Sequence, residues 1–263
     1  MEFGLRNKVA FIGGGSKGLG EGCAIQLARE GANIAICARD VESLKKSACM
    51  IRKKTKAKVL SIAGDLSRTA DVQKAVKEAL REFGRIDILV ANSGGPPPGS
   101  FFDVTEKDWR GAFDSVLCYV IELYRLVIPQ MKKQRWGRIV NITSLVVKEP
   151  SENLILSSVF RAGVVSLAKS LSRELIKYNI TINNVCPGAF KTNRISQLML
   201  AQSKKTGISI EEIEKNSIRD LPLGRYQDPV EMGDLVAFLA SEPAKGITGT
   251  TIQIDGGIVR GLL

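Results

Sequence analysis

The residues best suited to bind a charged ligand are glycines near the start of the chain. Residues 8–20 read KVAFIGGGSKGLG, a short apolar strand followed at once by a turn that contains Gly14, Gly18 and Gly20. Glycines let the backbone turn tightly and approach a ligand closely, and the following helix offers free N–H groups and the positive end of its dipole. Because the turn lies between a strand and a helix, it predicts a diphosphate-binding loop.

Charges beside this turn indicate which dinucleotide it would hold. A carboxylate at the end of the second strand would accept hydrogen bonds from a ribose diol and repel a 2′-phosphate. That place falls on Ala38, followed by Arg39, and Lys17 lies within the turn itself. Two cations without an acid favour NADP(H) over NAD(H), unless Arg39 is merely a surface residue. We expect Asp40 to cap the next helix instead of facing the ligand.

Composition excludes several classes of protein. The 263 residues contain no histidine, which argues against Ser–His hydrolases and most zinc sites. The five cysteines form no C-x-x-C pair, so we expect buried thiols and no metal site. The net charge of +11 is spread over helices, which indicates a solvated basic surface and no nucleic-acid partner.

The chain alternates between apolar strands and segments with helical periodicity. This alternation predicts an α/β fold with a doubly wound parallel sheet and ligands at the carboxyl ends of its strands. The predicted strands are Val9–Ile12, Ile34–Cys37, Val59–Ile62, Ile88–Ala91, Ile139–Ile142, Ile182–Cys186 and Thr251–Ile254. The predicted helices are Gly18–Glu30, Val41–Lys54, Asp71–Phe83, Asp108–Lys133, Ser157–Tyr178 and Pro229–Ala240.

No linker, repeat or low-complexity tract divides the chain, so we expect one domain over residues 1–263. We expect no membrane span, since no apolar run approaches the roughly 20 residues that a span needs, and no signal peptide at the start of the chain. Residues 193–220 interrupt the alternation and read as two short helices divided at Gly207. An insertion after a strand is a natural substrate lid, although it could be a surface excursion.

Seven motifs occur in the order typical of short-chain dehydrogenases/reductases, and the chain resembles that family over nearly its whole length. The C-terminal motifs are similar to those of 3-oxoacyl-[acyl-carrier-protein] reductases and of sugar or polyol dehydrogenases. The motifs are Gly13–Gly20, Asp65–Leu66, Ala91–Gly94, Asn141–Ser144, Pro187–Gly188 with Thr192, Pro222–Arg225, and Phe238–Ser241 with Ile247–Gly249 and Asp255–Gly257.

The resemblance implies a Rossmann-type fold with seven parallel strands and a helical lid, in a cytoplasmic homo-oligomer. A dimer or tetramer would pack through the helices Asp108–Lys133 and Ser157–Tyr178. The implied reaction is an NADP-dependent hydride transfer between nicotinamide and a carbonyl or secondary alcohol, an acyl thioester being one candidate. The implied cofactor-binding residues are Gly14, Ser16, Lys17, Gly18, Leu19, Gly20, Arg39, Asp65, Leu66, Asn92, Gly94, Arg161, Pro187, Gly188 and Thr192.

The catalytic positions depart from the family's pattern. Ser144 matches the family's serine, but Ser157 and Arg161 stand where its tyrosine and lysine are usual, and Val116 replaces an asparagine. Serine is a far weaker acid than a phenol, and arginine keeps the charge of lysine without passing protons. Ser157 and Arg161 still share one helix face.

Three interpretations remain open. The protein could reduce its substrate with another proton donor, the candidates being Tyr119, Tyr226, Lys148, Glu149 and a bound water. It could bind NADP(H) without turnover, as a sensor or partner subunit. A more remote alternative is an epimerase or lyase on the same scaffold.

Overall fold

A computed structural model describes residues 2–262 and places seven parallel strands in one sheet, in the order β3-β2-β1-β4-β5-β6-β7. The doubly wound α/β fold predicted from the sequence is confirmed. The strands are β1 Val9–Gly13, β2 Asn33–Ala38, β3 Val59–Ala63, β4 Ile88–Ala91, β5 Gly137–Ile142, β6 Ile180–Pro187 and β7 Thr251–Ile254.

The described part of the chain contains nine α-helices, most of which cover the two faces of the sheet. They are α1 Gly18–Arg29, α2 Val41–Thr55, α3 Thr69–Phe83, α4 Glu106–Ala112, α5 Tyr119–Gln134, α6 Ile155–Leu175, α7 Asn193–Thr206, α8 Ile210–Asp220 and α9 Pro229–Ala240. The strands are apolar on both sides because each face carries a core, one around Ile12 and Ile34 and the other around Phe11 and Leu89.

The helix predicted over residues 108–133 is not continuous. A π-helical segment, Phe113–Cys118, separates α4 from α5. Such segments insert one extra residue into a helix and often occur beside functional sites. Periodicity could not reveal it, since one extra residue barely disturbs an apolar pattern. The Ser93 hydroxyl after β4 donates a hydrogen bond to the Ser115 carbonyl at 2.8 Å, which gives this irregular backbone a partner.

The expectation that no apolar run approaches the length of a membrane span was wrong. Residues Ile155–Tyr178, which comprise α6 and a following 3₁₀ turn, are long and apolar enough to span a membrane by length and composition. A core helix of a soluble protein passes the same test. Here Val164 and Ala168 pack into a core of the sheet, while Val159 is exposed on the outer side of the helix.

Two glycines bring the first and last long helices into backbone contact. A Cβ atom added to Gly22 in α1 would lie 2.1 Å from the Pro229 carbonyl oxygen, and one on Gly233 in α9 would lie 2.4 Å from the Gly22 oxygen. Because real Cβ atoms do not approach this closely, α9 can pack here only against glycine. This contact holds α1, and with it the glycine turn, against α9.

Candidate active site

Two connected clefts open at the carboxyl ends of the strands, where the topology predicts a ligand. The outer cleft, of about 660 Å³, lies beyond β1, β2 and β3 and includes Asp65, whereas the inner cleft, of about 570 Å³, lies beyond β4, β5 and β6 and includes Ser144. Both clefts contain Gly14, Lys17 and Gly94, so the glycine turn borders both.

Most of the residues expected from the sequence line one of the clefts. The outer cleft contains Gly14, Ser16, Lys17, Arg39, Asp65, Leu66 and Gly94. The inner cleft contains Gly14, Lys17, Gly18, Leu19, Arg39, Asn92, Gly94, Ser144, Ser157, Arg161, Pro187, Gly188 and Thr192. Gly20 is the exception, because it lines neither cleft and packs beneath the turn.

The glycine turn is held by close backbone contacts. Gly14 and Gly18 have φ angles of +59° and +56°, which favour glycine. A Cβ on Gly20 would lie 2.4 Å from the Gly14 carbonyl oxygen, and the Asn92 amide donates to the Gly13 carbonyl at 3.0 Å. No side chain caps the start of α1 at Lys17. The first N–H groups of this helix therefore suit the oxygens of a diphosphate.

The sequence predicted two cations, Lys17 and Arg39, with no acid beside them at the end of β2, and this prediction is only partly correct. Asp40 caps α2 as predicted, accepting from the Ser43 N–H at 3.1 Å, but it also accepts from Lys17 at 3.0 Å. Hydrogen bonds from Ser43 and Lys17 hold the pKa of Asp40 well below its usual range. The Arg39 side chain is 76% exposed and lies 4.0 Å from the Asp65 carboxylate, so it is free to turn towards a phosphate.

Asp65 and Leu66 form the wall of the outer cleft after β3. The Asp65 carboxylate accepts from the backbone N–H of Ser67 at 3.0 Å and from its hydroxyl at 2.8 Å. Leu66 is buried, and its side chain lies beside Gly13. The pair thus presents a fixed acceptor beside an apolar surface, which suits the amino group and ring of an adenine.

Three polar side chains that matter for chemistry line the inner cleft. Ser144 follows β5, and its Oγ accepts from the Val146 N–H at 3.4 Å, which leaves its hydroxyl proton available. On α6 the Arg161 Nε donates to the Ser157 Oγ at 3.2 Å, and its Nη1 donates to the Ile142 carbonyl at 2.8 Å. The shared helix face expected for Ser157 and Arg161 is therefore present as a direct contact.

The inner cleft is cationic. No carboxylate of residues 2–262 lines it, whereas Arg161 and Arg194 both do. Burial lowers the pKa of the Arg161 guanidinium below its usual range; Tyr119 opposes this shift, and the positive charge of Arg194 adds to it. Two guanidinium groups without a counter-ion attract a negative charge, whether it belongs to a ligand or develops during a reaction.

None of the four side chains considered as alternative acids lines either cleft. Tyr119 is 5% exposed, and burial raises the pKa of its phenol, although the Ser93 hydroxyl beside it opposes this shift. Glu149 accepts from the backbone N–H of Arg260 at 2.9 Å, and so faces the C-terminal segment. Tyr226 and Lys148 also lie outside both clefts. Of the donors considered, a water molecule has access to the site.

The segment expected to form a lid consists of α7 and α8, divided at Gly207 as predicted. Leu198 on α7 lines the inner cleft. Of the two residues that follow it, Met199 is buried inside the segment and Leu200 is 44% exposed, so neither lines the cleft. A helix presents only every third or fourth residue to one side, which explains the difference.

Arg194 is the residue that the sequence analysis missed. It lies in the first turn of α7, where a cation opposes the helix dipole, and that placement is the signal that could have marked it. Its Nη2 donates to the carbonyl of Pro96, in the loop that follows β4, at 2.8 Å. Burial lowers the pKa of this guanidinium also.

Comparisons with known proteins agree with this geometry. Residues 14–259 match the family model described as Enoyl-(Acyl carrier protein) reductase. The chain is 32% identical over 257 residues to the 3-oxoacyl-[acyl-carrier-protein] reductase FabG of Staphylococcus epidermidis, covering 96% of this chain and 99% of that protein. It is 31% identical over 261 residues to the NADPH-dependent reductase BacG of Bacillus subtilis, covering 98% and 100%.

A solved structure shares the whole fold. The L-sorbose reductase of Gluconobacter frateurii, crystallised with NADPH and L-sorbose, superposes with a TM-score of 0.94 at 28% identity and with full coverage of both chains.

Proposed function

Because the chain belongs to the short-chain dehydrogenase/reductase family, we propose that it is an NADP-dependent reductase acting on a carbonyl group. The observation that carries this proposal is that the glycine turn and the group formed by Ser144, Ser157 and Arg161 open into one inner cleft. A dinucleotide held by the turn therefore reaches the polar group at the other end. Relatives named as NADPH-dependent or crystallised with NADPH support the choice of cofactor.

Two groups of residues would hold the two ends of the cofactor. At the adenosine end, Lys17 and Arg39 neutralise a 2′-phosphate, and Asp65 accepts a hydrogen bond from adenine. At the nicotinamide end, the loop from Pro187 to Thr192 frames the ring, and Arg161 contacts the ribose. The remaining cofactor-binding residues are Gly14, Ser16, Gly18, Leu19, Gly20, Leu66, Asn92 and Gly94.

The cationic inner cleft offers a way to stabilise the reacting oxygen without a tyrosine. NADPH bound in the cleft supplies the hydride. Ser144 and Ser157 donate hydrogen bonds to the carbonyl oxygen, and the partly buried charge of Arg161 stabilises the negative charge that develops there. Water at the open cleft replaces the proton that the hydroxyl groups give up. Arg161 itself keeps its protons, since a guanidinium does not deprotonate in proteins.

We also propose a class of substrate, an oligomeric state and a cellular compartment for this enzyme. The substrate is a small carbonyl compound, with acyl thioesters among the candidates because of the likeness to FabG. Val159 on α6 and Ile176 in the 3₁₀ turn after it are exposed apolar residues, which favours a homo-oligomer packed through α5 and α6. The cytoplasm is the expected compartment, since the five cysteines are free thiols and three of them are buried.

The decisive experiment measures NADPH oxidation against ketoacyl thioesters, simple ketones and sugars, beside fluorescence titrations with NADPH and NADH. We expect turnover of at least one class and tighter binding of NADPH. R39D should reverse the cofactor preference by at least tenfold, whereas R81D, on the exposed side of α3, should leave it unchanged. Equal affinity of the unmodified protein for both cofactors contradicts the assignment of NADP.

The replacement of the usual tyrosine, lysine and asparagine favours a second candidate function, a protein that binds NADP(H) without turnover. The same experiment separates the two functions. Tight NADPH binding without oxidation by any compound of the panel would establish the non-catalytic protein and reject the reductase.

A further inference from the structure

The proposed reductase leaves one cation of the inner cleft without a role. Four cations line this cleft, namely Lys17, Arg39, Arg161 and Arg194. The first two also line the outer cleft, where they serve the 2′-phosphate of the cofactor, and Arg161 contacts Ser157 at the reacting end. Arg194 borders the inner cleft alone and comes from the lid segment.

The surroundings of Arg194 hold its guanidinium in place without neutralising it. One nitrogen donates to the Pro96 carbonyl at 2.8 Å, and a methyl group added to Gly95 would lie 3.4 Å from that nitrogen. The side chain therefore lies flat along the loop that follows β4. The Pro96 carbonyl accepts from one of the five N–H groups of the Arg194 guanidinium. Among residues 2–262, no carboxylate lines the cleft to pair with the remaining N–H groups.

A fixed cation in the cleft that would hold the reacting carbonyl selects for an anionic substrate. A guanidinium presents parallel N–H groups that match the two oxygens of a carboxylate. We propose that Arg194 binds a carboxylate of the substrate, so that this protein reduces oxo acids in preference to neutral ketones. This inference rests on the proposed reductase function and names the class of substrate that it takes. Leu198, on the next turn of α7, offers an apolar contact to the chain between the two groups.

Arg194 could otherwise serve the lid or the cofactor, and the choice of variant separates these roles. In R194Q the side chain keeps an N–H donor for the Pro96 carbonyl but loses the charge. R194K keeps the charge but loses the planar pair of donors. R219M removes a lid arginine that lies outside both clefts and pairs with Asp220 at 3.5 Å, and is the matched control.

The test compares 4-oxopentanoate with its methyl ester as substrates for NADPH oxidation. We expect kcat/KM to be at least tenfold higher for the acid than for the ester. R194Q should lower this ratio by about 10- to 100-fold, which is the range for a hydrogen bond to a charged group. R194K should lower it less, and R219M should leave it as it is. Thermal unfolding checks that each variant is folded.

A second measurement does not need turnover. Hexanoate and hexanamide, which cannot be reduced, are titrated into the complex with NADPH while its fluorescence is recorded. We expect hexanoate to bind more tightly, and R194Q to remove the difference. If hexanoate binds preferentially but no carbonyl compound is reduced, the reductase proposal fails and the carboxylate site stands.

Other outcomes overturn the inference. Equal reduction of acid and ester by the unmodified protein leaves Arg194 without a role in selecting the substrate, although the reductase stands. If R194Q leaves the ratio of kcat/KM for acid over ester unchanged, Arg194 likewise does not select the substrate. An equal loss of NADPH affinity and of activity in R194Q would assign Arg194 to the cofactor. If the protein prefers dihydroxyacetone phosphate to the oxo acid, the anion that Arg194 binds is a phosphate and not a carboxylate.

Discussion

The glycine turn and the catalytic face of α6 both line the inner cleft, and they are built in different ways. At the turn the backbone itself makes the site, with a Cβ on Gly20 lying 2.4 Å from the Gly14 carbonyl. On α6 the site is made by side chains, since Arg161 donates to Ser157 and to the Ile142 carbonyl. The first keeps the glycines typical of the family, although Gly13 stands where a threonine is usual, whereas the second replaces the tyrosine and the lysine.

This contrast teaches which parts of such a site can change. A turn whose backbone has no room for a Cβ admits no other residue without moving the strand and the helix that it joins. A side chain on a regular helix can be exchanged while the backbone stays in place. Binding of the cofactor is therefore tied to the fold, whereas the chemistry is adjustable. The following experiments test this difference.

The largest effect is expected from G20A, which places a methyl group against the Gly14 carbonyl. Because neither backbone segment can give way without distorting the turn, NADPH should bind about 100-fold more weakly. Fluorescence titration measures the affinity, and thermal unfolding measures the accompanying loss of stability. G246A is the control, since a Cβ on that exposed glycine meets nothing within 4 Å. NADPH binding by G20A within threefold of the unmodified protein would contradict a backbone-determined site.

A smaller effect is expected from R161M, which removes the partly buried charge and leaves the helix intact. The kcat of NADPH oxidation should fall about 10- to 100-fold, because a charge-assisted interaction with the developing oxyanion is lost. R161K should recover part of the rate. R173M, an exposed arginine on the same helix, should behave like the unmodified protein. A kcat for R161M within twofold of the original value rejects electrostatic stabilisation by this group.

The smallest effect is expected from D40N, and it is a gain. Asparagine caps a helix as well as aspartate does, so α2 keeps its N-terminus while Lys17 loses its partner. NADPH should then bind about two- to fivefold more tightly, which is the range for an exposed ion pair. The low pKa keeps Asp40 ionised down to acidic pH, so the gain should be constant between pH 6 and 8.

D220N, which alters an exposed ion pair on the lid, is the control for this variant. The gain should also shrink in high salt, since the pair is exposed to solvent. Weaker NADPH binding in D40N would mean that Asp40 itself contacts the cofactor.

Much of the fold could be predicted, because buried parallel strands leave continuous apolar runs such as Ile88–Ala91, whose bounds the structure repeats. The π-helical segment Phe113–Cys118 could not, since it depends on a hydrogen-bonding pattern and not on polarity. In the site, Lys17 was expected to be free of acids, but Asp40 reaches it from the next helix. Arg194 was missed because its importance comes from burial beside Pro96, about a hundred residues away in sequence.

The contact between Gly22 and Gly233 has a consequence for how the chain acquires its function during synthesis. These glycines are separated by about 210 residues, so the contact is among the most non-local in the molecule and forms late. A ribosome-bound chain that has not yet emerged as far as α9 leaves the outer face of α1 uncovered. We therefore expect C-terminal truncations before Pro229 to expose apolar surface and recruit chaperones, whatever the state of the nucleotide-binding turn.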